Sequence, residues 1–248
     1  MSAALAIEGV TISFGGVRAV RGVTLEIAAG ERRVIIGPNG AGKTTLFNLI
    51  AGQLRPDEGR VMLFGVDVTH HRAHKRVRAG LARTFQISRL FPSLTVAENV
   101  SIATHGPVGF SPASFASPAT ANDLNERARE LLETWGLAGE RDEVVANIAH
   151  GNQRLLEIVM ALATNPRVLL LDEPTAGLSS GERDLVSMRL RALSRELTVI
   201  LTDHDMDVVF DIADQIAVLN EGELAAQGSP AAIRADRRVH ELYFGGDE

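Results

Sequence analysis

The sequence predicts an α/β fold built on a mixed, mostly parallel sheet, with an antiparallel β-subdomain at the N-terminus and an inserted helical subdomain. Three observations lead there. Residues Gly37–Thr45 read Gly-Pro-Asn-Gly-Ala-Gly-Lys-Thr-Thr, between the apolar run Val34-Ile35-Ile36 and a helical pattern of Leu46, Phe47, Leu49 and Ile50. That is the strand–loop–helix setting of a phosphate-binding loop. A second apolar run, Val168–Leu171, ends in Asp172-Glu173, and such unbroken runs suit strands buried on both faces. Between the two lies a long stretch, about 87–160, with helical rather than strand spacing.

Composition narrows the class. The 248 residues are 45% hydrophobic and 23% charged, enough for one large domain with a core of its own. A net charge of −6 argues against a surface that coats nucleic acid. Without cysteine there are no disulfides, thiolate metal sites or thiol nucleophiles. The opening Met1-Ser2-Ala3-Ala4 resembles neither a secretory signal nor a myristoylation site. No apolar run approaches 18 residues. The expectation is a cytoplasmic chain that meets a membrane only through partners.

In order along the chain, residues 5–12 and 23–27 alternate apolar and polar, as half-exposed antiparallel strands do. The turn between them holds Phe14, for which two readings stand: a plug of the core, or a platform for stacking a base. In the phosphate loop, Gly37, Gly40 and Gly42, with Pro38, Asn39 and Ala41 between them, let the backbone curl so that its several N–H groups, which Pro38 lacks, point inward. Lys43 can reach β- and γ-phosphates, the Thr44 hydroxyl can ligate Mg²⁺, and Thr45 continues the helix whose positive end faces the loop. Residues 53–59 make a surface turn and 60–64 a strand. The cluster His70, His71, Arg72, His74, Lys75, Arg76 and Arg78 lacks the carboxylates of a metal site and reads as a solvated basic helix face.

Leu81–Phe85 forms a short strand ending at Gln86. Thr95 and Glu98 have capping-box spacing and should start a helix. Residues 106–122, rich in Gly, Pro, Ser and Ala, read as a loop. Leu124, Ala128, Leu131, Leu132 and Trp135 then follow helical spacing, closed by Gly136. Ala149-His150-Gly151-Asn152-Gln153 opens another helix and offers a second set of amides to a phosphate, one that suits a neighbouring copy. Ligands of parallel sheets lie beyond the strands' carboxyl ends. There Asp172 would hold Mg²⁺ and Glu173 would polarise a water as general base. His204 follows the strand Thr198–Thr202, either as a satisfied surface histidine or as a γ-phosphate contact.

Taken together, Phe14, the loop at 37–45, Gln86, the 149–153 motif, Val168–Asp172, Glu173 and His204 occur in an order that resembles the ATP-binding cassette ATPases over essentially the whole chain. The resemblance implies a P-loop NTPase core over about 1–86 and 161–248 and a helical signature subdomain over about 87–160. It implies ATP and Mg²⁺ as ligands, the metal held by Thr44, Gln86 and Asp172. Catalysis would rest on Lys43, Gln86, Glu173 and His204, and Phe14 would stack adenine. Two cassettes, identical or paralogous, would close on two nucleotides and drive separate integral membrane permease subunits, served indirectly by a solute-binding protein. The chain would then sit at the cytoplasmic face of the membrane. Docking is implied near residues 87–99, where Leu90 and Phe91 are apolar.

More narrowly, Gly80–Gln86, Leu94–Val100, Leu155–Ile158, Asp203–Met206 and the tail Glu241–Gly245 look like the branched-chain amino-acid importer ATPases, with urea- and amide-type cassettes close by. Two departures stand out. The usual Leu-Ser-Gly-Gly-Gln signature is Ile148-Ala149-His150-Gly151-Asn152. The lost serine hydrogen bond should cost about 1 kcal/mol, or roughly 1.5–3 if made to a charged group. Ser179 stands where many cassettes carry an aspartate, and with Glu182 it has capping-box spacing. A soluble, non-transport cassette and a binding module with degenerate catalysis are the rival readings.

Overall fold

The computed structural model describes residues 3–84, 90–105 and 118–244. In chain order, β1 (Ala3–Phe14) and β2 (Val17–Ala28) form a hairpin, then β3 (Arg32–Ile36) leads through the phosphate loop into α1 (Lys43–Ala51). Next come β4 (Glu58–Leu63), β5 (Val66–Asp67), α2 (Ala73–Arg78) and β6 (Leu81–Arg83). Helices α3 (Val96–His105), α4 (Pro118–Thr134) and α5 (His150–Ala163) follow. The chain then alternates β7 (Val168–Asp172), α6 (Ser180–Ala192), β8 (Thr198–Thr202) and α7 (Met206–Ile212). It closes with β9 (Gln215–Asn220), β10 (Glu223–Gly228), α8 (Pro230–Ala235) and α9 (Arg237–Phe244).

Two sheets result. An antiparallel sheet runs β2-β1-β4-β5, and a larger one runs β10-β9-β3-β8-β7-β6, parallel except for its edge strand β10. The larger sheet divides the core. Val34, Leu169, Leu171, Val199 and Leu201 face the side packed by α3–α7. The alternate residues Ile35, Val168, Leu170 and Ile200 face α1 and the antiparallel sheet. With both faces covered, each strand must be apolar throughout, which is why these segments read as continuous runs.

Register sets the site. Asp172 pairs with Thr202 across β7 and β8, and Ile35 pairs with the same Thr202 across β3 and β8. The carboxyl ends of three adjacent strands therefore finish level, each about 4.8 Å from the next.

Local signals and structure agree at several ends. Glu98 accepts from the Thr95 amide at 2.7 Å and its own amide donates to Thr95 Oγ1 at 3.2 Å, starting α3 at Val96. Gly136, at φ 71°, closes α4. The expected loop at 106–122 needs correction, because α4 already begins at Pro118; residues 106–117 lie outside the described ones. Local composition hid the start: Pro is well placed in a helix's first turn. The expected subdomain edge at 160 falls inside α5, which continues to Ala163.

The basic face over 70–78 also needs correction at one position. Arg76 is fully buried. Its Nη1 donates to the Leu49 and Ile50 carbonyls, both at 2.7 Å, and Nη2 to the Thr69 carbonyl at 3.0 Å. A cation is thereby fixed at the negative end of α1, and burial lowers its pKa to about 10.

Candidate active site

The phosphate loop joins β3 to α1. Gly42 is the N-cap of α1 at φ 99°, and a side chain there would strike the Ala19 carbonyl. Lys43 folds back across the loop, its Nζ donating to the Gly37 carbonyl at 2.5 Å and the Pro38 carbonyl at 3.0 Å. Partial burial lowers the Lys43 pKa, opposed by the negative charges of Glu173 and Asp172. Those opposing charges tie the loop electrostatically to the end of β7, the second half of the expected site. Asn39, Gly40 and Thr44 are exposed, so the loop's rim and the Thr44 hydroxyl are open to a ligand.

Asp172 is 1% exposed. Its Oδ1 accepts from Thr202 Oγ1 at 2.8 Å and its Oδ2 from Arg83 Nη2 at 2.9 Å. Arg83, at the end of β6, also donates from Nη1 to Asn48 Oδ1 at 2.6 Å, binding α1 to the same carboxylate. Arg83 and Thr202 thus engage one oxygen each of a carboxylate that is otherwise closed to water.

Glu173 has φ 48°, an uncommon state for a residue with a side chain and for one before a proline. Such conformations cost about 1–3 kcal/mol and persist where surroundings impose them. Here the Glu173 amide donates to the Thr202 carbonyl at 3.0 Å, and Arg154 Nη2 donates to the Glu173 carbonyl at 2.6 Å. Glu173 is half-buried, and its backbone leaves the strand end in a conformation that β geometry would not give.

The loop after β8 is held to the same strand end. Buried Asp203 accepts from Thr175 Oγ1 at 2.6 Å through Oδ2, and from the His204 and Asp205 amides at 2.8 and 3.0 Å through Oδ1. His204 itself is exposed. Asp205 caps α7 by accepting from the Asp207 amide at 3.1 Å.

The residues of 149–153 lie elsewhere. Ala149 is the exposed N-cap of α5, with no side-chain cap. Gly151 packs against the Glu182 carboxylate, where any side chain would collide. Asn152 donates to Glu140 at 2.7 Å, and Gln153 to the Val145 and Ile148 carbonyls at 3.2 Å. Among the described residues these polar contacts run to the chain's own helical region, not to the loop at 37–45. Ser179 caps α6, and its amide donates to Glu182 at 2.8 Å. Hydrogen bonds from Ser179, with a smaller contribution from the charge of His150, hold the Glu182 carboxyl below its usual range.

Phe14 is 48% exposed at the end of β1, which removes the core-plug reading. Leu90 packs half-buried against the helical core, while Phe91 is 45% exposed. Gln86 lies outside the described residues. Among those described, no group of three or more His, Asp or Glu side chains could cage a metal. One buried carboxylate and one hydroxyl beside a phosphate loop suit magnesium, which keeps waters and shares its shell with substrate phosphates. Arg83, Arg154 and Arg76 were not legible as site residues in the sequence. The available signals were an arginine inside the short apolar strand 81–83 and an Arg154–Glu157 pair on an otherwise apolar helix face.

Residues 20–176 match the family model described as ABC transporter. The chain is 39% identical to the high-affinity branched-chain amino acid transport ATP-binding protein BraF of Pseudomonas aeruginosa, over 97% of both chains. It is 36% identical to the LivG protein of the same description from Escherichia coli, also over 97% of each. Among solved structures, the ADP conformation of MJ1267, an ATP-binding cassette of an ABC transporter, superposes with a TM-score of 0.85 at 29% identity. It covers 99% of both chains. A dimeric post-hydrolysis state of the cassette MJ0796, bound to ADP and Pi, gives a TM-score of 0.78 at 27% identity, covering 91% of this chain and 98% of that one.

Proposed function

The chain belongs to the ABC transporter family and is an ATP-binding, ATP-hydrolysing cassette; from that premise we propose that it energises an importer of branched-chain amino acids. The observation that carries this reading is likeness to branched-chain transport ATP-binding proteins along 97% of the chain. The buried, paired Asp172 and the angled Glu173 supply the chemistry.

In this reading the loop amides and Lys43 take the β- and γ-phosphates, the ammonium exchanging the Gly37 and Pro38 carbonyls for phosphate oxygens. Phe14 stacks on the adenine from its exposed position. Magnesium, when bound, would neutralise developing charge on the phosphates, held by Asp172, the Thr44 hydroxyl and Gln86. Glu173 accepts a proton from the attacking water. His204 approaches the γ-phosphate from the loop that Asp203 fixes. The exposed amides at the start of α5 serve the nucleotide of a second cassette, whether an identical copy or a paralogue. Membrane permease subunits, fed by a solute-binding protein, complete the machine at the cytoplasmic face. No helix among the described residues is long and apolar enough to cross a membrane.

The test pairs two measurements. Glu173→Gln should abolish ATP turnover while retaining Mg-ATP binding; wild-type turnover in this variant removes Glu173 as the base. Deleting the gene should abolish uptake of radiolabelled leucine, restored by the wild-type chain but not by Glu173→Gln. Intact leucine uptake with lost urea uptake would move the substrate to the urea-type cassettes.

A further inference from the structure

The last turn of backbone on the catalytic strand is held from the opposite side by a residue of the helical region. Arg154 lies three residues after Gly151 on α5, within one turn of the helix start. Its Nη2 donates to the carbonyls of Asp172 at 2.8 Å and Glu173 at 2.6 Å, and its Nε to that of Pro174 at 3.3 Å. Its Nη1 donates to Glu157 at 2.5 Å, one turn further along the same helix. Both side chains are largely buried, 11% and 8% exposed. A planar guanidinium with donors in a fixed fork can serve several acceptors at once, and Glu157 fixes the plane of that fork.

These three carbonyls bracket the residue whose backbone is strained. Glu173, at φ 48°, would relax toward extended geometry if nothing opposed it. On one side its amide is tied to the Thr202 carbonyl. On the other its carbonyl is tied to Arg154 and to the Ala176 amide, the latter at 3.1 Å. We propose that Arg154 is a positioning residue for hydrolysis: it holds Glu173 in the left-handed conformation that aims the carboxylate, and so links the orientation of α5 to the aim of the base. The same turn of helix that presents Ala149–Gly151 to a second cassette thereby sets the geometry of its own chain's base. The link follows from covalent continuity, since α5 cannot turn at residues 149–151 without moving the guanidinium three residues on. This inference rests on Glu173 being the base.

The experiment uses the full chain with Arg154→Met, Arg154→Lys, Glu173→Gln and the Arg154→Met/Glu173→Gln double variant. Displacing a catalytic group by about 1 Å can cost about 100-fold in rate, so Arg154→Met should lower kcat by about that factor. Mg-ATP affinity, measured by titration calorimetry, should stay within about twofold, because the phosphate loop is built on β3 and α1. Arg154→Lys keeps a cation able to reach one of the carbonyls and should recover about tenfold of the loss. In the Glu173→Gln background, Arg154→Met should remove nothing further, since there is no base left to aim. Without nucleotide, amide deuterium exchange over 172–176 should rise in Arg154→Met. A brace that merely joins helix to sheet would lower affinity and kcat together, or add its loss on top of Glu173→Gln; either result overturns the proposal. So does Arg154→Met with wild-type kcat. If Arg154→Met does not fold, Arg154→Lys decides, and an unaltered kcat there is equally fatal. The two readings separate cleanly: full turnover in Glu173→Gln alone removes the base, whereas an inactive Glu173→Gln beside an unimpaired Arg154→Met removes only this inference.

Discussion

The two regions of this chain proposed to meet phosphate are built on opposite principles. At the carboxyl ends of β6, β7 and β8, key polar groups are buried and hydrogen-bonded: Asp172 by Arg83 and Thr202, Asp203 by Thr175 and two backbone amides, the Glu173 carbonyl by Arg154. At the start of α5, Ala149 and His150 are exposed, and no side chain caps the helix. The first region holds Glu173 in a strained backbone conformation by bonds made within one chain. The second has an exposed, uncapped helix start, which in the proposed function would suit a ligand carried by another molecule. Pre-organisation belongs where the chemistry occurs, and openness where assembly must be reversible.

That contrast makes Arg83 the most sensitive position. Arg83→Met would leave the Asp172 carboxylate buried beside one hydroxyl, and breaking a buried pair from one side costs about 3–5 kcal/mol. Both side chains are nearly inaccessible, 6% and 2% exposed, so little screening softens the loss. Urea unfolding of the nucleotide-free chain should show it. Adding Asp172→Asn should return part of the stability, because the stranded charge is then gone. A loss below about 1 kcal/mol would place this pair with ordinary surface ion pairs and erase the contrast.

The next effect lies at the far end of the phosphate-loop helix. Arg76→Met takes the guanidinium donor from the buried carbonyls of Ile50 and Thr69 and leaves Leu49 only the Gly52 amide, at about 2–3 kcal/mol. Since Arg76 does not approach the phosphate loop's rim, Mg-ATP affinity should change far less than stability does. Comparing denaturant midpoints with nucleotide titrations separates the two, and a parallel fall in affinity would show that α1 transmits damage along its axis.

Much of this was legible in the sequence because it was written as pattern. The loop at 37–45 and the two buried strands declared themselves through apolar runs that end in polar residues, which only a sheet covered on both faces demands. The capping boxes at Thr95 and Ser179 were equally local. What stayed hidden were arginines whose partners are carbonyls or distant in sequence. Arg154 serves residues 172–174, Arg83 serves Asp172, and Arg76 serves the end of α1. No spacing rule announces a contact made across 89 positions, and in a run such as His70–Arg78 a buried arginine looks the same as its solvated neighbours. The strain at Glu173 was also invisible, since Glu followed by Pro favours an extended reading.

The smallest predicted effect probes the open region directly. Ala149→Ser restores a hydroxyl at the N-cap of α5, where serine in place of alanine is worth about 0.5–2 kcal/mol when it caps. The site is exposed and the preceding turn undisturbed, so thermal stability should rise, toward the lower end of that range. The informative comparison is with assembly. If the exposed start of α5 receives a second cassette's nucleotide, the serine hydroxyl gives that phosphate one more donor. Mg-ATP-dependent dimerisation in a Glu173→Gln background should then tighten by about tenfold or more, since a hydrogen bond to a charged group is worth roughly 1.5–3 kcal/mol and about 1.4 kcal/mol is tenfold. Light scattering across a protein concentration series, with and without Mg-ATP, measures both states. A gain in thermal stability with unchanged dimerisation would mean that the hydroxyl turns inward to cap the helix, and that residues 149–151 meet the partner through backbone alone.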